Sequence, residues 1–414
     1  MKSEKKLILG FAIGMGSSLL VFAICLNIFF RTHVVIEKDL VNGNQVSESQ
    51  SPEGQTEEEY YNEIVDKVQL LEAYISRFYL DNMDKEKIKE KIYKGVMESL
   101  EDPYSVYYTE EEYKSLMESN QGKYVGIGAY VSQDIQTGII TITKPFENGP
   151  AYKAGILPGD IIYKIDGESV EQKEITEVVA EMKGIAGTKV NVEVIREGEI
   201  KPLTFTVTRA DIEVPTIEYE MLENKVGYIK VTEFDEVTAT QFREAVDDLE
   251  KKAMTGLVID LRDNPGGMLT TVVDMLDRVV GKGLLLSTKD KNGEGSEYKA
   301  TDPDKLTVPL CVLINKNSAS ASEVFAGAIQ DYKVGTLVGT TSFGKGIVQS
   351  IMPLKDGSAI KVTVAHYYTP EGRDIHKVGV TPDVEVELDE EAAKMPVIPK
   401  DKDNQLQKAI ESLK

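Results

Sequence analysis

Cysteine and histidine are scarce in this chain of 414 residues, which holds two of the first and three of the second. Cys25 lies in an apolar run and Cys311 in a strand-like segment, so a disulfide framework is excluded. His33, His366 and His376 show neither HExxH spacing nor a Cys/His cluster, so a catalytic metal is not expected. Positive charge is also short. The 47 Lys and Arg stand against 69 Asp and Glu, a net charge of -22 with no segregated basic patch, and nucleic acid is not an expected partner. The remaining composition, 41% hydrophobic and 28% charged, is that of a globular protein, and the length fits two or three folded units.

Residues 1–6 carry Lys2, Lys5 and Lys6, and the 24 residues from Leu7 to Phe30 carry no charge. At about 1.5 Å per residue such a helix reaches about 36 Å, enough for a hydrocarbon core of about 30 Å. The expectation is a cytoplasmic 1–6, a single-pass signal anchor at 7–30, and a cell-membrane protein whose bulk lies outside the cytoplasm. A cleaved signal peptide is the alternative. The length of the run, and its end in Asn27-Ile28-Phe29-Phe30 without a small-x-small site, argue against cleavage. Residues 31–59 read as a flexible stalk, polar and without periodicity from 40 onward.

Helical spacing follows in 60–118. Ile64, Val68, Leu71, Ile75 and Phe78 form one stripe, and Ile88, Ile92, Val96 and Leu100 another. Asp102-Pro103 stops the second helix, and Thr109 with Glu112 opens a third through Met117 as a capping box. Nothing here suggests chemistry; the expected use is packing or a homodimer.

From 119 to 210 short strands take over, with a hairpin turn at Asp166-Gly167 and an amphipathic helix from Ile175 to Met182. The block from Gly149 to Asp160, ahead of the Ile161 strand, resembles a PDZ domain. That resemblance implies that Gly126, Ile127 and Gly128 form a loop whose N–H groups hold a peptide's terminal carboxylate, with Val178 or Val179 lining the side-chain pocket. A tight hairpin is the plainer role for these glycines.

Residues 211–388 alternate strand and helix, which suggests a parallel sheet. Asp260 to Gly267 ends one strand in Asp263-Asn264-Pro265-Gly266-Gly267, a turn whose free N–H groups suit developing negative charge. A second strand, Val308 to Ile314, leads to Ser318-Ala319-Ser320-Ala321-Ser322-Glu323 and a helix. A serine here can be a nucleophile, and Ser320 with Glu323 is also an S-x-x-E capping box that needs no chemistry. Lys345, in Phe343-Gly344-Lys345-Gly346, is a better base than either nearby histidine. A lysine of pKa near 10.4 must fall about three units to serve at neutral pH, and burial supplies such shifts. Gly339 to Lys345 also fits GxxxxGK spacing, but Gly346 replaces the Ser or Thr, and a strand rather than a helix follows.

These blocks, with Asp331, Gln349, Asp102-Pro103-Tyr104-Ser105 and Tyr368 to Arg373, resemble the C-terminal processing peptidases, also called tail-specific proteases, over roughly 60 to 385. The resemblance implies a Ser320 nucleophile, a Lys345 base 25 positions on, and Gln349 in support of the lysine. Oxyanion donors would be the N–H groups of Ala321 and of Gly266 or Gly267. Asp263 departs from the family's Asn-Asn-Pro-Gly-Gly. The implied fold is multidomain α/β: a transmembrane helix, a helical region, a PDZ domain built as a small barrel or sandwich with helices, a crotonase-like protease core, and a 389–414 tail with a short helix. The implied activity is serine endopeptidase, acting on proteins with accessible C-termini and needing no metal or organic cofactor. A PDZ scaffold without catalysis and a crotonase-like acyl-transfer enzyme are the alternatives.

Overall fold

The computed structural model describes residues 55–301, 305–395 and 397–413. The expected anchor at 7–30 lies outside the described residues, as does most of the stalk; among the described residues no helix is long and apolar enough to cross a membrane. The chain divides into two units, Met1–Ile88 and Lys89–Lys414. In the first, a helix of Glu57–Phe78 opens inside the segment read as stalk. Thr56 caps it, accepting from the Glu59 N–H while the Glu59 carboxylate accepts from the Thr56 N–H. No residue of this helix is buried, and its apolar stripe is exposed.

In the second unit the helix expected to end at Met117 runs from Glu110 to Gln121 and stops where Gly122 turns left-handed, at φ +63°. Both capping-box bonds of Thr109 and Glu112 form.

The PDZ module holds its strands in the order 129–133, 140–145, 161–165, 189–195 and 203–208. Alternation sorts its faces: Val190, Val192 and Val194 are buried, Lys189 and Asn191 are not. Gly149 and Pro150 start a short helix that Gly155 ends at φ +92°, and the Asp160 carboxylate pairs with Arg196 at 2.7 Å. Ile127 and Gly128 separate two strands, Lys123–Gly126 and Ala129–Gln133. Lys123–Gly126 pairs with Ala210–Glu213, so the segments entering and leaving the module form a two-stranded antiparallel ribbon.

The core is a six-stranded sheet in the order 217–221, 226–231, 256–260, 310–314, 336–339 and 384–385, parallel throughout except for its first pair. Leu257-Val258-Ile259 and Leu310 to Ile314 are buried without interruption because both faces are covered. Leu257, Ile259 and Val312 meet the helices 238–251, 269–280 and 321–332; Val258, Cys311 and Leu313 meet Leu406 and Ala409. The segment read as a tail is therefore part of the core. Its helix Asn404–Ser412 is fastened by Arg262, whose guanidinium bridges Asp260 and Asp403 at 2.6 and 2.7 Å. A second, antiparallel sheet joins strands 106–108, 359–368, 283–290 and 297–300, with 347–353 also paired to 359–368.

Candidate active site and peptide groove

Three parallel strands end on one side of the sheet, and their following loops carry Gly266-Gly267, Ser320 and Lys345, the usual place for chemistry in such sheets. Ser320 starts the helix Ala321–Tyr332 at φ +55° and ψ -115°, a strained conformation for a residue with a side chain. Asn264, fully buried, clamps the loop before it. Its side chain donates to the Val231 carbonyl at 2.9 Å and accepts from the Gly266 N–H at 2.8 Å, while its own carbonyl accepts from Ala319 N–H and Ser322 Oγ, both at 3.0 Å. Gly266 is pressed against the serine: a Cβ there would lie 2.7 Å from both Ser320 Cβ and the Ala319 carbonyl oxygen.

The link between serine and lysine is Glu323, which is completely buried. One carboxylate oxygen accepts from Ser320 N–H at 2.9 Å and Lys345 N–H at 2.8 Å; the other accepts from Ser342 Oγ and Gly344 N–H, both at 2.6 Å. A single charge thus orders both loops through charge-assisted bonds. The capping-box spacing foretold the bond to Ser320; no local signal foretells the bonds across to 342–345.

Lys345 is half-buried, and its Nζ lies 4.2 Å from the centre of the Tyr104 ring. Burial, and then the like charge of Lys361, lower its pKa, with Asp102 and Glu323 opposing. Among the described residues no hydrogen bond joins its Nζ to Ser320 Oγ. Gln349 does not reach the lysine either; its amide donates to Thr363 Oγ1 at 3.3 Å. Asp263 spends its carboxylate on the Asn315 and Asn317 amides, at 2.9 and 2.8 Å. Burial opposes its charge, but these bonds outweigh that and hold its pKa below the usual value. Asp331, almost wholly buried, receives the Arg373 guanidinium and, at 2.8 Å, the Glu371 N–H.

A cavity of 280 Å³ lies between the PDZ module and the core, lined by Tyr124, Ile127 and Val179 on one side and Glu118, Glu233 and Asp235 on the other. Burial, with the nearby Glu233, pushes the Asp235 carboxyl up to about 7. Lys183 at its edge is paired with Glu118 at 3.1 Å.

Profiles of three known modules match this chain: the Activating protease CtpB N-terminal domain over residues 22–112, a PDZ domain over 141–196, and Peptidase family S41 over 225–386. The chain is 39% identical over 338 residues to the carboxy-terminal processing protease CtpA of Bacillus subtilis (strain 168), an alignment covering 81% of this chain and 72% of that one. The chain belongs to the carboxy-terminal processing peptidases. It is 39% identical over 326 residues to CtpB of the same organism, across 78% of this chain and 68% of that one. A solved photosystem II D1 C-terminal processing protease is similar at 30% identity and a TM-score of 0.46, covering 77% of this chain and 86% of that one.

As a carboxy-terminal processing peptidase the chain is a serine peptidase with a PDZ domain, and the structure refines the expected site residues. The Gly266 N–H already serves Asn264, which leaves Gly267 and Ala321 as the candidate oxyanion donors of this turn. Val178 is fully buried in the PDZ core, so Val179 is the valine that faces the groove. Ile127 lines the cavity; Gly126 and Gly128 are not among its lining residues, but the Gly128 and Ala129 backbone meets the hydroxyl of Tyr124, which is one of them. Gly128, at φ +72°, accepts from Phe146 N–H at 2.9 Å, and a Cβ on Gly126 would strike the Tyr124 ring at 2.7 Å.

Proposed function

We propose that this peptidase is a membrane-anchored endopeptidase working outside the cytoplasm, in which Ser320 is the nucleophile, Lys345 the general base, and the PDZ domain the reader of substrate C-termini. The observation that carries the dyad is the buried Glu323 carboxylate, which accepts from the backbone N–H of both residues at once. In its neutral form Lys345 takes the Ser320 proton as Oγ attacks a peptide carbonyl. The oxyanion then lies toward the N–H groups of Gly267 and Ala321. Collapse expels the amine, which takes the proton back from the lysine. Water, deprotonated by Lys345, then releases the acyl group as a carboxylate and frees Ser320.

Ser320→Ala and Lys345→Ala should each bring turnover to near background, and the double variant should be little worse because the pair acts as a unit. Retained cleavage in either single variant overturns the dyad. The anchor rests on the uncharged run from Leu7 to Phe30 behind three lysines. Protease added outside intact cells should reach the 40–59 segment and spare an N-terminal tag; soluble mature chain starting beyond Phe30 overturns the anchor.

A further inference from the structure

The turn Asp102-Pro103-Tyr104-Ser105 is far from Lys345 in sequence and plays no part in the proton transfers above, yet it is tightly built. Asp102 accepts from Tyr104 N–H at 3.0 Å and from Ser105 Oγ at 2.6 Å, and Ser105 Oγ accepts from Thr363 N–H at 3.1 Å. The next residues, Val106–Tyr108, pair with Lys361 to Ala359, so the turn is riveted to the strand that also holds Gln349 through Thr363. Tyr104 is thereby fixed with its ring 4.2 Å from Lys345 Nζ.

We propose that Tyr104 is a positioning residue of the active site, whose ring face seats the Lys345 side chain as an ammonium and so sets the pH at which that lysine becomes a base. An aromatic face attracts a cation far more strongly than a neutral amine. The charged groups that act on Lys345 are Lys361 from the neighbouring strand, Asp102 from the turn itself and Glu323 from the helix 321–332. Neither carboxylate is hydrogen-bonded to Nζ: Asp102 is engaged by the turn, and Glu323 by its four donors. The ring is therefore the contact that opposes burial and Lys361 most directly. When the lysine loses its proton this attraction weakens, and Nζ is freer to turn toward Ser320.

This inference rests on Lys345 being the base, so its test separates the two. In the full chain carrying Ser320→Ala, the pH dependence of Lys345 acetylation by acetic anhydride, read by mass spectrometry, reports the lysine's titration without catalysis. Tyr104→Leu should move its midpoint to lower pH by about 0.5 to 1.5 units, the range a cation–π contact spans. Tyr104→Phe keeps the ring and should leave it in place, and Tyr104→Met repeats the test if leucine disturbs the turn. With Ser320 restored, the rising limb of kcat/KM against pH should move by the same amount. An unmoved midpoint in both Leu and Met variants, or an equal shift in Phe, overturns the seat. A shifted midpoint with an unmoved kcat/KM limb overturns Lys345 as the base and leaves the seat standing.

Discussion

Replacing Glu323 by glutamine exchanges one carboxylate oxygen for an NH₂ and sets the amide against at least one of its four donors. Each carboxylate oxygen accepts twice, from Ser320 and Lys345 N–H on one side and from Ser342 Oγ and Gly344 N–H on the other. Turned toward Ser320 and Lys345, the new NH₂ faces two N–H donors; turned the other way, it faces the Gly344 N–H, while the Ser342 hydroxyl can rotate to accept from it. At about 1–3 kcal/mol for each group left unsatisfied, the penalty is at least about 1–3 kcal/mol, relieved by moving one loop away from the other. A displacement on the order of 1 Å at a reacting group costs about a hundredfold in rate. Glu323→Gln should therefore lower kcat by about a hundredfold or more with little change in KM, and lower the unfolding temperature of the core. Cleavage of a short reporter peptide, with kcat and KM separated, measures the first; thermal unfolding by circular dichroism measures the second. Glu323→Asp, which keeps the charge at shorter reach, should fall between. If Glu323→Gln keeps kcat within about threefold while folded, the carboxylate is not what aligns the two loops.

Gly266→Ala should be inactive, since a Cβ at φ +108° meets Ser320 Cβ and the Ala319 carbonyl oxygen at 2.7 Å; wild-type turnover in that variant would show that the turn yields freely. Asp235, with its carboxyl pushed up to about 7, is mostly neutral below that pH and charged above it, across the cavity from Ile127 and Val179. Affinity for a peptide with a free C-terminal carboxylate should accordingly fall about fivefold from pH 6 to pH 8, a Coulomb effect on the order of 1 kcal/mol. Calorimetry should show no such fall for the amidated peptide or for Asp235→Asn; a fall that persists in Asp235→Asn refutes the assignment.

Much of this architecture was legible because local physics and tertiary packing agree. The helix Ile175–Met182 has the bounds its periodicity gives, and the Thr109 and Glu112 capping box forms as spaced. The fully apolar strands of the core announce a sheet covered on both faces. What stayed hidden joins distant residues. The Gly266 N–H goes to Asn264, two positions back, a choice made by the turn's shape rather than its composition. Val178 and Val179 are chemically identical, and only the rotation of their helix puts the first in the core and the second at the groove. The 404–412 helix looked peripheral because its apolar stripe is short. Its hold comes from Leu406 and Ala409 packing on the sheet and from Asp403 meeting Arg262, 141 positions earlier.

The ribbon of Lys123–Gly126 and Ala210–Glu213 brings the PDZ module's two ends side by side. A module attached this way is a cassette: excising it and closing the strands with a tight turn leaves a hairpin, with no gap to span. The same strap limits how it can swing. Two hydrogen-bonded strands twist and flex together far more readily than they shear, so any swing of the groove relative to the core is confined, like a door's on one hinge, to an arc that the protease itself does not need to guide.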